Sequence, residues 1–359
     1  MKSRYKKIKI KTSKPEKHDS ITIIKPFNYG FAILKSILAF LVIIAHQFKS
    51  NSTQNKLILN ITRQRYFHVP CFFTMSFYFM FNTLYSLNPK KIFIRIIRLL
   101  IPYIGWPLIL FELNKQYNKF SPYKLNVDYE RLKIQLLWGT GFLLHFWYMW
   151  NLIAITIIFI IIIFIFRKYS LIVLHIMLFL SYVSQYSGYS YNKIKKEVQY
   201  KRDLLGRMFE MMPYAVIGFT LGYYNIINIL QNMKIKTFIF SILIYNFVDD
   251  YKVFADVQGF LYTGIYLTIR SVCVIFIFSL FPSDKINNEY LTKFLKIITN
   301  YSGGVYYLHW SLITYLNKFN NEFKNGTFYS IFLNYFICYF ICYIGNLIFG
   351  KTPLKYLFC

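Results

Sequence analysis

Long apolar stretches separated by short polar connections run through most of the chain. A membrane-spanning helix needs about 20 mostly apolar residues, because the hydrocarbon layer is about 30 Å thick and a helix rises about 1.5 Å per residue. Ten stretches approach or exceed this requirement: 31–48, 66–87, 92–113, 146–166, 169–186, 207–225, 236–249, 254–280, 301–316 and 328–349. The pattern therefore predicts an all-α, polytopic transmembrane helical bundle with about ten spans.

The rest of the chain divides around this bundle. Residues 1–30 form a tail with nine Lys and Arg against two acidic residues, residues 31–350 form the transmembrane domain, and 351–359 are a short C-terminal tail. The segment 132–145 is apolar but too short to cross, which suits an interfacial or re-entrant helix. Because basic segments stay inside, we expect the N-terminus to be cytosolic.

The composition supports a membrane protein and excludes several other classes. Hydrophobic residues make up 56% and charged residues 16% of the chain, whereas soluble domains carry about 25% charge. Disorder and coiled coil are excluded by the same apolar content. We expect a multi-pass protein of the plasma membrane or, in a eukaryote, of an endomembrane.

A strongly basic balance points to anionic partners. The net charge is +28, and the bases flank or enter apolar segments. Anionic lipid head groups or a phosphorylated cofactor are therefore better candidate partners than nucleic acid.

Two ionisable residues of the first predicted span lie on one face of its helix. Lys35 and His46 are eleven residues apart, which is about 20° past three full turns and about 16 Å along the axis. Charged groups within a span are costly, so each marks a candidate functional site. A snorkelling lysine and a packed histidine are the alternative interpretation.

Basic residues also open the third predicted span. Lys91, Arg95 and Arg98 stand at i, i+4 and i+7 and so form a stripe on one face. The planar fork of arginine binds phosphate oxygens in pairs, so the stripe is a candidate phosphate site. An orienting cluster of membrane-anchor residues is the alternative.

Three further charged residues lie within predicted spans. Arg207 and Glu210 are three residues apart, and Arg270 lies well within the span 254–280. Intramembrane ion pairs explain these residues best, and the polar lining of a substrate cavity is the alternative.

No metal or nucleotide motif is present in the sequence. His68, His145, His175 and His309 match no metal-ligand spacing, and the five cysteines show neither zinc spacing nor a disulfide framework. The chain also has no nucleophile elbow, P-loop or dinucleotide fingerprint. We therefore expect no metal site, no nucleotide hydrolysis and no covalent serine catalysis.

Five short strings follow one another in the order and spacing of a known family. They are Lys35-x10-His46, Pro70-Cys71-Phe72-Phe73-Thr74-Met75-Ser76-Phe77, Arg95-Ile96-Ile97-Arg98 before Pro102, His145-Phe146-Trp147-Tyr148-Met149, and Tyr306-Tyr307-Leu308-His309. The chain thereby resembles the acyltransferase-3 family of integral-membrane O-acyltransferases, which acylate sugars and other acceptors at membranes. The resemblance covers about residues 30–349.

Three positions depart from the family pattern. Lys35 replaces the usual arginine, Phe77 replaces a glycine, and Ala32 stands where an acidic residue often precedes the basic one. Lysine keeps the positive charge but lacks the fork of arginine. These departures bear directly on donor binding and on whether the protein is active.

The resemblance implies acyl transfer from cytosolic acyl-coenzyme A, most often acetyl-coenzyme A, to a hydroxyl of a carbohydrate or glycolipid. His46 would act as general base on that hydroxyl, and an acyl-histidine is the alternative. Lys91, Arg95 and Arg98 would bind the cofactor phosphates, while Lys35 would steady the thioester arm or a nearby carboxylate. The residues expected to line the substrate cavity are Ser76, Trp147, Tyr148, Tyr306 and His309.

Two other functions fit parts of the same pattern. A secondary transporter or lipid-handling protein would explain ten spans and intramembrane charges, although no matching halves are visible. A non-catalytic relative that binds acyl-coenzyme A would explain the three departures.

Overall fold

The structure of the protein is a computed structural model. The structure describes residues 28–47, 67–120, 128–139, 143–192, 199–255, 262–281, 289–319 and 327–359. These residues are helical with short connections and include no strand. The all-α prediction is confirmed for this part of the chain.

The described residues form twelve α-helices. They are α1 (Tyr29–Gln47), α2 (His68–Tyr85), α3 (Pro89–Phe120), α4 (Tyr129–Trp138), α5 (Trp147–Phe166), α6 (Ser170–Asn192), α7 (Gln199–Tyr223), α8 (Ile226–Gln231), α9 (Lys234–Ala255), α10 (Tyr262–Ser279), α11 (Glu289–Phe319) and α12 (Phe328–Phe349). Short 3-10 helices occupy Leu144–Phe146, Arg167–Tyr169 and Pro353–Leu357.

Each of the ten predicted spans overlaps one of these helices, with residues 48, 66 and 256–261 of the predicted spans lying outside the described residues. The number of membrane crossings is not confirmed. Four stretches are long and apolar enough to cross: Tyr29–Gln47, Pro89–Lys119, Trp147–Gln185 and Tyr329–Phe349. The third of these contains α5 and most of α6. Helices such as α7 and α11 fall short because charged and polar residues interrupt their apolar surfaces.

Helix α4 lies in the segment expected to be interfacial or re-entrant. Asp128 caps its first turn by accepting a hydrogen bond from the Glu130 N–H. Gly139 ends the helix with a φ of 69°, a left-handed conformation that glycine adopts without steric cost. The helix therefore begins and ends on ordinary local signals.

The core of the bundle forms where α1 is surrounded by other helices. Helix α1 packs against α2, α10, α11 and α12, and α2 packs along α7. Gly218 lets α7 approach the backbone of α2 at Thr74, where a Cβ would collide with the carbonyl oxygen. Leu38, Ala39, Val42 and Ile43 are fully buried at the centre. This arrangement fixes the face of α1 that carries Lys35 and His46.

The C-terminal segment, expected to be a short tail, packs into the bundle. The indole N–H of Trp106 donates to the Leu357 carbonyl oxygen at 2.8 Å, and Phe358 stacks on Phe349 with 5.8 Å between ring centroids. A Cβ on Gly304 would lie 2.7 Å from the Phe358 carbonyl oxygen. The segment therefore forms part of the wall beside α3, α11 and α12.

Arginines within the bundle contact aromatic side chains. The buried Arg270 donates to the hydroxyls of Tyr266 at 2.6 Å and Tyr245 at 2.5 Å, and its guanidinium lies 4.4 Å from the Tyr245 ring centroid. Arg207 lies over the Trp147 ring at 5.0 Å. Hydrogen bonds and cation–π contacts thus accompany these charges inside the bundle.

Candidate active site

A cavity of about 350 Å³ opens between α1, α2, α3, α5, α11 and the C-terminal segment. The described residues that line it are Lys35, Phe72, Ser76, Arg95, Arg98, Leu99, Tyr148, Met149, Leu152, Thr299, Asn300, Ser302, Gly303, Tyr306, Tyr307, Tyr356 and Cys359. Arg98 and Cys359 are exposed at its mouth, whereas Tyr306 and Tyr307 are buried. We call this space the basic cavity.

Three cationic side chains, and no Asp or Glu side chain among the described residues, line the basic cavity. Lys35 comes from α1, and Arg95 and Arg98 come from successive turns of α3. The Lys35 ammonium lies 5.1 Å from the Phe79 ring centroid, and the Arg98 guanidinium lies 5.1 Å from that of Tyr356. Arg95 donates through Nε to the sulfur of Met80 at 2.9 Å. Three like charges without an acidic neighbour on the lining favour an anionic ligand.

A layer of tyrosines lines the inner end of the basic cavity. Tyr148 and Tyr306 both line it, with 5.0 Å between their ring centroids. The Tyr306 hydroxyl donates to the His145 carbonyl oxygen at 2.6 Å. Its ring also lies 5.5 Å from the His145 ring and 5.8 Å from the His309 ring. Tyr306 therefore borders both the basic cavity and a group of histidines.

Three histidines from three elements meet on the other side of this layer. The ring centroids of His46 and His309 are 5.2 Å apart, those of His145 and His309 are 4.9 Å apart, and those of His46 and His145 are 6.4 Å apart. The Trp310 ring lies 5.1 Å from His46 at a near-perpendicular angle. We call these four residues the histidine cluster. His46 is exposed, while His145 and His309 are buried.

Backbone contacts fix the tautomers of the two buried rings. His309 Nδ1 lies 2.7 Å from the Tyr306 carbonyl oxygen, and His145 Nε2 lies 3.4 Å from that of Tyr307. A carbonyl oxygen only accepts, so each of these nitrogens carries the proton. Burial, together with the neighbouring His46, lowers the pKa of His145 to about 3. His145 is therefore neutral at ordinary pH.

The structure brings most of the sequence-predicted site residues to the basic cavity or its far side. Lys35, Arg95, Arg98, Ser76, Tyr148 and Tyr306 line the cavity. His46 and His309 lie instead in the histidine cluster, beyond the tyrosine layer. The candidate donor-binding residues and the candidate general base therefore lie in two separate but adjacent groups. Helix α1 contributes a residue to each group.

Two predicted site residues lie outside both groups. Lys91 is exposed and does not line the basic cavity, because it stands one turn before Arg95 at the beginning of α3. Trp147 does not line it either, since its ring packs under Arg207. The basic stripe of α3 therefore contributes two of its three cations to this space.

Two of the three departures from the family pattern, Phe77 and Ala32, are packed inside the bundle, whereas the third, Lys35, lines the basic cavity. Phe77 is fully buried, and its ring centroid lies 4.7 Å from that of Phe159. Ala32 is buried near Tyr29 and Leu295 and does not line the basic cavity. Neither side chain contributes a polar group to the site.

Several residues of the basic cavity and the histidine cluster are not predicted as site residues from the sequence, among them His145, Trp310, Tyr356 and Cys359. The sequence assigns no role to His145, Trp310 or Tyr356, and Cys359 enters only as one of five cysteines without zinc or disulfide spacing. The position of Trp310, directly after the predicted site residue His309, is a sequence signal that could have identified it. The sequence offered no comparable signal for Tyr356 and Cys359, because their place on the wall depends on the packing of the C-terminal segment.

These features define a class of protein. An all-helical bundle with apolar spans encloses a cavity lined by three cationic side chains, and the cavity lies beside a cluster of three imidazoles that includes the neutral His145. This combination suits a membrane enzyme. The family model described as an acyltransferase domain, acyltransferase 3, matches residues 28–351. The chain therefore belongs to the acyltransferase-3 family, and it is a membrane acyltransferase. No curated protein and no solved structure matches the chain.

Proposed function

We propose that the protein transfers an acyl group, most simply acetyl, from acyl-coenzyme A to a hydroxyl of a carbohydrate or glycolipid acceptor, with His46 as general base. The observation that carries this proposal is the pairing on α1: Lys35 lines a basic cavity, and His46 lies in a histidine cluster on the other side of the tyrosine layer. Family membership supplies the acyl-transfer reaction.

The charge of the basic cavity supports a coenzyme A donor. The phosphates of coenzyme A carry several negative charges, and Lys35, Arg95 and Arg98 supply three positive ones, with no Asp or Glu side chain among the described lining residues. Arg98 at the exposed mouth would meet the phosphates first. Tyr148 and Tyr306 at the inner end would then contact the narrower thioester arm, whose acyl carbon points toward His46.

The His46 ring can supply the base that an alcohol requires. A hydroxyl becomes an effective nucleophile only when its proton has an acceptor. In this step the His46 imidazole takes the hydroxyl proton while the hydroxyl oxygen bonds to the acyl carbon. The carbon–sulfur bond then breaks, and the coenzyme A thiolate receives the proton from the imidazolium. The products are an ester and free coenzyme A, and His46 returns to its starting state.

The basic N-terminal tail suggests a donor side in the cytosol. Lys35 lies nearer the N-terminal end of α1 than His46 does, so the basic cavity would open toward the cytosol. The acceptor would reach His46 from the opposite face. Membrane lipids surround the bundle, whether it sits in a plasma membrane or in an endomembrane.

The decisive experiment compares His46→Gln with His175→Gln in purified full-length protein. Transfer of radiolabelled acetyl from acetyl-coenzyme A to a panel of glycan and glycolipid acceptors is measured. We expect kcat to fall at least about 100-fold in His46→Gln, the usual effect of losing a general base, with little change in donor KM. His175 is exposed and does not line the basic cavity, so His175→Gln should retain full activity. Unchanged turnover in His46→Gln would contradict the mechanism.

Donor binding provides an independent readout. Arg95→Ala should weaken acetyl-coenzyme A binding about tenfold or more, because charged hydrogen bonds contribute about 1.5–3 kcal/mol each. Tight donor binding without turnover on any acceptor would identify a non-catalytic relative. Substrate flux in proteoliposomes without an acyl donor would identify a transporter.

A further inference from the structure

The C-terminal segment places residues from outside the matched domain on the wall of the basic cavity. The family model matches residues 28–351, whereas Tyr356 and Cys359 line the cavity from beyond that range. Family membership therefore assigns these two residues no role. Any function they have must come from the position and the chemistry of the segment itself.

Close packing holds the C-terminal segment against the bundle on either side of its backbone. The Leu357 side chain fills the space beside Gly105, where a Cβ would lie 2.6 Å from its Cδ2. Phe358 fills the space beside Gly345, where a Cβ would collide with its ring. Leu357 and Phe358 are buried, so the two residues directly after Tyr356 fix the backbone that carries its ring. A ring held in place in this way loses little conformational entropy when a ligand binds.

Two cations lie over the Tyr356 ring at the mouth of the basic cavity. The Arg98 guanidinium lies 5.1 Å from the ring centroid, and the Lys355 ammonium lies 5.4 Å from it. Arg98 and Tyr356 both line the cavity, where Arg98 is exposed and Tyr356 is half-buried. The mouth therefore combines an aromatic ring with two positive charges. Nucleotides offer a partner to each, because bases stack on aromatic side chains and phosphates pair with Arg and Lys.

The size of the basic cavity puts the nucleotide end of the proposed donor at this mouth. The cavity volume is about 350 Å³, near the lower end of the range of about 300–1,000 Å³ for pockets that enclose drug-sized ligands. Acyl-coenzyme A is larger than such a ligand. When its acyl carbon points toward His46, as the proposed function requires, the nucleotide at its other end lies beside Arg98 and Tyr356.

We propose that the Tyr356 ring stacks on the adenine base of the donor nucleotide, while Arg98 and Lys355 bind the neighbouring phosphates. This inference rests on the proposed function and adds the residues that recognise the nucleotide end of the donor. Two of the three, Lys355 and Tyr356, lie beyond the matched domain. The stacked base contributes affinity through a planar aromatic contact, in addition to the attraction that the cations exert on any phosphate.

The test separates the base from the phosphates with two matched probes. They are 2′-deoxyadenosine 3′,5′-bisphosphate and its abasic counterpart, 1,2-dideoxyribose 3,5-bisphosphate, which keeps the sugar and both phosphates. Binding to full-length protein in nanodiscs is measured by isothermal titration calorimetry. We expect the nucleotide to bind about tenfold more tightly than the abasic probe, the usual contribution of one base stacked on an aromatic side chain.

Variants assign the two contributions to their residues. Tyr356→Ala should bring the affinity ratio of the two probes close to 1, while Tyr356→Trp keeps an aromatic face and should keep the preference for the nucleotide. Arg98→Ala should weaken both probes about tenfold, since it removes a charged contact to phosphate. Tyr290→Ala is the control, because Tyr290 is 85% exposed and does not line the cavity, and it should keep the wild-type ratio. Thermal unfolding shows that each variant is folded.

The outcomes separate the stacking contact from the proposed function. A preference for the nucleotide that is lost in Tyr356→Ala, in a protein that transfers no acetyl group to any acceptor, would support the stacking contact and contradict the acyltransferase proposal. Acetyl transfer from acetyl-coenzyme A by a protein that binds both probes equally, or whose preference survives in Tyr356→Ala, would overturn the stacking contact and leave the acyltransferase proposal standing.

Two further results would also overturn the stacking contact. If Tyr356→Ala weakened both probes by the same factor, the ring would act only by holding Arg98 in place. If neither probe bound to the wild-type protein, the mouth of the basic cavity would not be a nucleotide site.

Discussion

Individual side chains separate the two halves of the candidate site by their charge state. Lys35, Arg95 and Arg98 place three positive charges in the basic cavity, whereas the buried His145 is held neutral by its surroundings. A cavity of cations attracts an anionic donor, and neutral imidazoles bind and deprotonate hydroxyls. Tyr306 lies between the two environments and contacts both. This division of charge supports the proposed pairing of an anionic acyl donor with a hydroxyl acceptor.

The burial of His145 predicts a specific dependence of stability on pH. The pKa of His145 is lowered from 6.5 to about 3 by burial and by the neighbouring His46. As the pH falls below about 6.5, His145 becomes protonated in the unfolded chain. In the folded protein it stays neutral until about pH 3. The free energy of unfolding is thus lowered through that range. Thermal unfolding between pH 7 and 5 should show a smaller loss of Tm in His145→Gln than in the wild type.

The matched control for this measurement is His175→Gln. His175 is exposed, and its Nδ1 lies 2.7 Å from the Leu171 carbonyl oxygen of its own helix. This variant should keep the wild-type slope of Tm against pH. If the slope of Tm against pH were identical in the wild type and His145→Gln, His145 would not contribute to the loss of stability. Other groups, such as His46 or His309 in the same cluster, would then account for it.

The sequence predicts those site residues that a helix brings together, and it misses those that packing brings together. Lys35 and His46 share a face of α1 by their eleven-residue spacing, and Arg95 and Arg98 share a face of α3. No local period relates His145 to His46, because the contact between them exists only after three elements have packed. The same reason explains why Trp147, adjacent in sequence to the site, packs under Arg207 instead.

At the scale of elements, the positions of the helices followed from the apolar pattern, and the number of crossings did not. Each predicted span lies on a described helix because about 20 apolar residues favour both membrane burial and helix formation. Whether a helix crosses the membrane depends also on which side chains contact and bury its polar residues. Arg270, for example, is buried by its contacts with two tyrosines. Such partners come from distant parts of the chain and leave no local signal.

The C-terminal segment packs closely against helix α11 at Gly304, which has no side chain to obstruct it. A substitution that adds one methyl group at this position should therefore disturb the packing. In Gly304→Ala the new Cβ would collide with the Cys342 sulfur and lie 2.7 Å from the Phe358 carbonyl oxygen. Because backbone cannot move aside as freely as a side-chain tip, we expect a destabilisation of about 1–3 kcal/mol. Displacement of the segment should also raise the donor KM, since Tyr356 and Cys359 line the basic cavity.

Thermal unfolding and donor titration of Gly304→Ala check this prediction. Phe294→Ala is the control, because it removes a side chain of the same helix that is 57% exposed and should leave both quantities nearly unchanged. Wild-type stability together with wild-type donor KM in Gly304→Ala would show that the segment does not need this close approach.

At the scale of the whole molecule, the two halves of the site lie at different depths along α1. Lys35 and His46 are about 16 Å apart along the helix axis, at about 1.5 Å per residue. A soluble donor and a membrane-associated acceptor can therefore approach from opposite faces and meet inside the bundle. The mouth of the basic cavity, marked by Arg98 and Cys359, should then open on the donor side only.

Cysteine labelling tests this arrangement in the intact protein. All five cysteines are free, and Cys359 is the one that is exposed, the other four being buried. In sealed, sided vesicles a membrane-impermeant maleimide should label Cys359 from the face that accepts acyl-coenzyme A, and saturating acyl-coenzyme A should slow that labelling several-fold. Burial raises the pKa of the Cys359 thiol, so labelling should accelerate as the pH rises above 8, because the thiolate is the reactive form. Cys359→Ser should abolish the signal. Labelling from the opposite face, or at a rate that donor does not change, would show that the cavity mouth is not the donor entrance.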